Sequence, residues 1–445
     1  MQLNQPNNED KQSPVKLKTL LTTATCALLG ANASAQAENN LLTDWNIDTA
    51  LMVYSEVGRV SATEAIIAGT KTFKNDEILN LKVTLDSLTG ASANGSVAQP
   101  NAQTFTSPSG ESNYQVKANK TPLDDTFKDL RAQASAQWTQ PLSDNYTLSV
   151  GGNFSKEYDY MSLGANTNIA KDFNKKNTTL SAGLALAYDQ ITPSGDIAAP
   201  LTPMLFGNNV IEVSRGEDED EQNSSNKQTI ASSDNKQTVD VLFGLTQVIN
   251  RRMLVQFNYS YSHINGYLND PYKLLSLVNS NGLTQQYLFE SRPDTRNKHA
   301  FFAQTKYHFA NSILDASYRY MTDDWQVKSH TVDLRYRINL AQGRFIEPHV
   351  RYYTQTAADF YQPFLQESNT LPQFASADYR LGDMDTYTVG LKYGMPLASG
   401  KSMAFRVEYY HQTPKNAGFS QPGELAAQNL YENIDAVIAQ VSYSF

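Results

Sequence analysis

Cysteine is almost missing from this chain: there is one, Cys26, in 445 residues. That excludes a disulfide-stapled scaffold. Charge is scarce as well. Asp, Glu, Lys and Arg make up 18% of the chain, and 36 basic against 45 acidic residues leave a formal charge of −9. That balance argues against nucleic acid as a partner. Long apolar runs are lacking. The longest nearly uncharged stretch, Thr19–Ala31, is too short to cross a bilayer as a helix, which excludes a polytopic helical membrane protein. Motifs of catalysis are missing too: no G-x-S-x-G, no H-E-x-x-H and no phosphate loop. Aromatics, by contrast, are plentiful, with 25 Tyr and 19 Phe among 40% hydrophobic residues, too many for a disordered chain.

The N-terminus reads as an address. Lys16 and Lys18 precede the apolar run Thr19–Gly30, and Ala33 and Ala35 offer a small-x-small cleavage site. Residues 1–35 are therefore expected to be a secretory signal peptide and residues 36–445 the mature domain. A lipid anchor on Cys26 fits poorly, because Thr23-Ala24-Thr25 does not make a lipid-attachment box.

Beyond that point apolar residues recur with period two. Val437, Ala439, Val441, Tyr443 and Phe445 alternate with Ile438, Gln440, Ser442 and Ser444. Val332, Leu334, Tyr336 and Ile338 alternate with Asp333, Arg335, Arg337 and Asn339. Tyr387, Val389, Leu391 and Tyr393 alternate with Thr388, Gly390 and Lys392. Successive side chains of a strand point to opposite faces, so each segment has one apolar and one polar face. A sandwich would bury the apolar face against a second sheet, whereas a membrane barrel turns it to lipid. Segment length favours the barrel, since soluble strands average about five or six residues while a tilted spanning strand needs about ten.

The pattern predicts an all-β fold, an up-and-down antiparallel transmembrane barrel of about 16 strands. Fourteen is the alternative count, because Arg59–Thr72 alternates poorly. Links after even-numbered strands are short, as at 251–252 and 398–401, and are expected at the periplasmic end. Long links at 91–127, 191–236, 266–297, 359–383 and 413–432 are expected to be extracellular. Trp45, Trp138, Tyr259, Tyr261, Tyr318, Tyr320, Trp325, Tyr352, Tyr353, Tyr409 and Tyr410 fall near strand ends and are expected to form interfacial girdles.

Several stretches resemble a family of bacterial outer-membrane barrels known as domain of unknown function 3570. They include Tyr54-Ser-Glu-Val-Gly-Arg-Val60, Asp86-Ser-Leu-Thr-Gly-Ala-Ser92 with Asn94-Gly95, Trp138-Thr-Gln-Pro-Leu142 and Ser291-Arg-Pro-Asp-Thr-Arg296. Others are Asp323-Asp-Trp-Gln-Val-Lys-Ser-His330, Glu347-Pro-His-Val-Arg-Tyr-Tyr353, Gln355-Thr-Ala-Ala-Asp-Phe-Tyr361 and Ser376-Ala-Asp-Tyr-Arg-Leu-Gly382. The resemblance implies location in the outer membrane of a Gram-negative envelope and no catalytic residues. Neighbouring genes for a thioredoxin-like protein and a flavin transferase, as seen beside similar genes, imply an envelope redox partner. A terminal Phe such as Phe445 is the residue that barrel-assembly machinery reads in outer-membrane proteins.

The polar face of strands eleven to fifteen is expected to line a lumen. It carries Asp315, Arg319, Asp333, Arg335, Arg337, Glu347, His349, Arg351, Lys392, Arg406 and Glu408, with Arg and Lys in excess. Such a wall selects for ion sign, or else braces the barrel as a salt-bridge lattice. Asp323, Asp324, His330, Asp359, Asp378 and Arg380 near the rim can bind a ligand, but are expected to tie loops down. Glu217, Asp218, Glu219, Asp220 and Glu221 form an acidic run, expected to be solvated, with Ca²⁺ or Mg²⁺ bridging to lipopolysaccharide as the weaker alternative. Loop 91–127 is rich in Ser, Asn, Gln and Ala, and either it or 191–236 can form a constriction. The six His are not at metal-ligand spacing, so no metal and no cofactor is expected. The leading expectation is a pore for small polar or charged solutes in contact with outer-membrane lipid. Non-transport alternatives are a platform for an envelope redox or assembly complex and, further back, an outer-membrane enzyme.

Overall fold

The computed structural model describes residues 44–107, 113–126, 128–204 and 229–445. The expected signal segment 1–35 and the acidic run Glu217–Glu221 lie outside the described residues.

Sixteen antiparallel strands close into one barrel. In chain order they are β1 Trp45–Glu56, β2 Ser61–Thr72, β3 Ile78–Thr89, β4 Lys128–Ser143, β5 Tyr146–Lys156, β6 Tyr160–Phe173, β7 Thr178–Ile191 and β8 Asp234–Asn250. Next come β9 Met253–Gly266, β10 Thr295–His308, β11 Ser312–Asp323, β12 Lys328–Asn339, β13 Phe345–Gln355, β14 Met384–Pro396, β15 Ser402–Pro414 and β16 Ile434–Ser444. Each strand pairs with its chain neighbours, and β1 closes the ring on β16, with Val53 opposite Ala439. Closure leaves no unpaired edge, which is what allows a sheet to stand in hydrocarbon. The segment that alternates poorly does form β2, held in register by β1 and β3 on either side.

Alternation places the apolar residues outside. Val407 is 58% exposed, Phe257 52% and Leu391 51%, and Leu81, Val150, Leu163, Leu186, Phe301, Leu334 and Val437 also stand outward and exposed. So much exposed apolar surface is a liability in water and a requirement in lipid. Bands of aromatics edge it. At the short-turn end Lys71 lies over Trp45 and Phe73, Lys171 over Tyr146 and Phe173, and Lys401 over Tyr443 and Phe445. Each ammonium lies 4.8–6.0 Å from the ring centroids, within cation–π reach. At the other end Tyr259 bonds His299 at 2.9 Å, Tyr318 bonds His330 at 2.7 Å, and His411 bonds Asp435 at 2.7 Å.

Three girdle expectations need correcting. Tyr352 and Tyr409 face outward, but Tyr353 and Tyr410 face the lumen, because adjacent residues on a strand cannot share a face. Trp325 is no girdle residue. It lies past the end of β11, only 4% exposed, under Phe360 at 5.0 Å, with its indole N–H donating to the Thr295 carbonyl.

The largest difference from expectation is in the long loops. They fold together into a lid with its own apolar core. Leu274–Val278 and Thr284–Phe289 form a hairpin, and Leu365–Gln366 adds a parallel strand from another loop. Gln103–Thr106 and Asn113–Val116 make a second ribbon. Phe105, Val116, Leu274 and Tyr287 pack as one cluster, and Leu275, Leu288, Leu365, Ala375 and Ala377 as another. Val97, Val278, Phe364 and Leu425 form a third. The contributing loops leave the ring between β3 and β4, β7 and β8 (through Leu201 and Met204), β9 and β10, β13 and β14, and β15 and β16, so the lid crosses the mouth rather than lining one edge.

Candidate functional site: the charged lumen wall and its lid

The lumen wall is built by strand register. Asp315 on β11 is opposite Arg335 on β12, Asp333 on β12 is opposite Arg351 on β13, and Glu347 on β13 is opposite Lys392 on β14. Arg406 on β15 continues the row from Lys392. Every lumen candidate named from the sequence is on the inward face: Arg319, Asp333, Arg335, Arg337, Glu347, His349, Arg351, Lys392, Arg406 and Glu408.

They are not equivalent. His349 is buried between two carboxylates, with Nδ1 2.8 Å from Glu408 and Nε2 2.9 Å from Asp333. Arg335 approaches the other Asp333 oxygen at 3.3 Å, and Arg406 approaches Glu408 at 3.8 Å. Asp315 accepts from Gln304 at 2.6 Å and pairs with Lys306 at 3.3 Å. Arg337 stacks on the Phe345 ring at 3.7 Å, and that ring occupies space where a Cβ on Gly394 would sit only 2.1 Å away. The bracing lattice expected as an alternative therefore exists, along β12, β13 and β15. Arg319 and Arg351 stand apart from it. Both are exposed in the lumen, and neither makes an ion pair within 4 Å among the described residues. They line one cavity together with Ser317, Thr331, Asp333 and Arg335.

The rim residues divide between tying loops and facing lipid. Asp323 pairs with Arg296 at 2.5 Å and accepts the Val327 N–H at 2.8 Å, fixing the β11–β12 turn. Asp324 holds Asn297 at 2.7 Å, whereas His330 faces outward in the girdle. Asp378, only 1% exposed, receives Arg292 at 2.9 Å and Arg380 at 2.6 Å. Arg292 also meets Glu290 at 2.6 Å, and Arg380 reaches Asp270 at 2.6 Å. Three acids and two arginines from loops 267–294 and 356–383 thus lock the two segments together. Gln355 at the top of β13 then donates to the Gly382 and Arg380 carbonyls, pinning the lid to the barrel.

Burial makes the electrostatics of this lock uneven. It pushes the Glu290 carboxyl up to about 7, against the pull of Arg292. Burial also opposes ionisation of Asp378. There the Arg380 guanidinium and its hydrogen bonds, with Lys273 and Arg292 behind them, outweigh it and hold the carboxyl well below its ordinary range. Sequence reasoning named Asp378 and Arg380 but missed Glu290, Arg292 and Asp270. Their signal was the polar string Glu290-Ser-Arg292 set directly after the apolar Tyr287-Leu-Phe289.

Fold and site together define a membrane-spanning β-barrel with a charged lumen and a folded lid over its long-loop end. The chain belongs to the family described as proteins of unknown function, DUF3570, whose profile matches residues 18–445. No curated protein matches it. Among solved structures it is similar to CdiB from Acinetobacter baumannii, with 10% identity over 90% of this chain and 60% of that one, at a TM-score of 0.42. It is also similar to OccK3 (OpdO) of Pseudomonas aeruginosa, with 11% identity over 91% of this chain and 97% of that one, at a TM-score of 0.38. A Pseudomonas aeruginosa FadL homologue matches at 10% identity over 90% of this chain and 89% of that one, with a TM-score of 0.37.

Proposed function

We propose that the protein is an outer-membrane pore for small hydrophilic solutes, covered at its outer mouth by the loop lid. One observation carries the reading: a ring of 16 strands turns ionisable side chains into its interior. Barrels of that strand number leave an aqueous lumen rather than a packed core. Short turns at one end and long loops at the other fit the outer membrane, with the lid outside. Export through residues 1–35, assembly guided by Phe445, and outward contact with lipid and lipopolysaccharide belong to the same reading. No bond-making chemistry is part of it.

The test is conductance in planar bilayers, with swelling of solute-loaded liposomes as a second readout. Wild-type protein is expected to give discrete steps. A variant with the lid loop 356–383 replaced by a short Gly-Ser link is expected to give larger ones. Silence from both proteins overturns the pore; steps that do not grow when the lid is cut overturn the role given to the lid.

A further inference from the structure

We infer that Arg319 and Arg351 form a binding ledge for small oxyanions in the upper lumen, which makes the pore anion-selective. The inference rests on the lumen holding water and names the solute class for the reading above.

The argument is one of charges left unengaged. Basic residues descend the inner face of β10 to β15 from beneath the lid to the short-turn end: Lys298, Arg319, Arg351, Arg335, Lys392 and Arg406. The acids on this wall are mostly engaged: Asp315 by Lys306 and Gln304, Asp333 by His349 and Arg335, and Glu408 by His349 and Arg406. Lys298 has the field of Asp240 from β8 nearby. Lys392, opposite Glu347, makes no ion pair among the described residues, but it lines a different cavity. At the cavity that Asp315, Asp333 and Arg335 also line, Arg319 and Arg351 are the two arginines without an ion pair among the described residues, and three guanidinium groups there face two carboxylates that are already engaged.

Geometry fits a single anion between them. Arg319 is opposite Thr331 and Arg351 is opposite Asp333, so the two arginines flank β12 one row apart. Two strand spacings across and a two-residue offset along the strand place their backbones roughly 12 Å apart. Two long side chains reaching inward can close on one anion across that gap. Thr331, Ser317 and Gln304 line the same cavity and offer neutral hydrogen bonds. A planar guanidinium matches carboxylate and phosphate oxygens in bidentate fashion, which selects oxyanions over halide. Tyr353, opposite Thr331, lies within the field of both arginines.

The probe is inorganic phosphate, titrated calorimetrically into the detergent-solubilised barrel, with reversal potentials in a KCl gradient alongside. Wild type is expected to bind phosphate and to prefer chloride over potassium. Arg319→Gln with Arg351→Gln is expected to weaken phosphate binding at least tenfold and to lower the chloride preference. Arg319→Lys with Arg351→Lys, which keeps the charge and shows that the wall still folds, is expected to retain the chloride preference while losing phosphate affinity. No phosphate binding by wild type, or equal binding by wild type and the glutamine pair, overturns the ledge. A silent bilayer with intact phosphate binding overturns the pore alone.

Discussion

The Leu274 amide donates to the Asn94 carbonyl at 2.7 Å, joining two loops that leave the barrel six strands apart. The contact depends on Gly95. Its φ of +95° is costly for any other residue, and a Cβ there would meet the Leu274 oxygen at 2.5 Å. Gly95→Ala is therefore expected to strain the lid by about 1–3 kcal/mol. Hydrogen exchange should quicken in Leu274–Val278 and Gln103–Thr106, with the barrel strands unchanged.

The Glu290 carboxyl makes the lid sensitive to pH. Its ordinary value is 4.5 and burial raises it to about 7, so the folded lid holds a proton more tightly than the open one. Stability from this group is complete below about 4.5 and is lost as pH rises through about 7. Exchange of the 270–292 segment is expected to quicken over that window, and Glu290→Gln to flatten the profile.

Asp378 acts with the opposite sign, losing its stabilising charge only in strong acid. Asp378→Asn leaves Arg292 partly unneutralised in a buried site, at a cost of about 3–5 kcal/mol to the lid. Limited proteolysis in loop 356–383 should become rapid, while the barrel core resists.

The outer face gives a pair of contrasting substitutions. Leu391 points to lipid and Lys392 to the lumen. Leu391 is near the middle of β14, and Leu391→Arg is expected to cost about 2–4 kcal/mol. Lys392→Gln is expected to shift ion selectivity and leave stability nearly unchanged. Urea refolding into vesicles measures both.

The strands were legible because one short-range rule, alternation, governs every one of them. Val332–Ile338 announces its face without help from any other segment. The lid was not legible in the same way. Leu274-Leu275-Ser276-Leu277-Val278 and Phe364-Leu365 are apolar, but each is too short to signal its partner, and their pairing is set by contacts across the mouth. Trp325 shows the cost of reading position without that context: a Trp at a strand end resembles a girdle until a second loop covers it. The charged wall was readable residue by residue, yet which arginines stay unengaged emerged only from the register of β11 to β13.

Spin labels placed singly at positions 387 to 393 on β14 test the central claim most directly, by collision with oxygen and with a water-soluble nickel complex in bilayers. Oxygen access is predicted to peak at 387, 389, 391 and 393, and nickel access at 388, 390 and 392 once the lid is cut. Equal access at neighbouring positions, or nickel access at Val389 and Leu391, would contradict a barrel with lipid outside and water within.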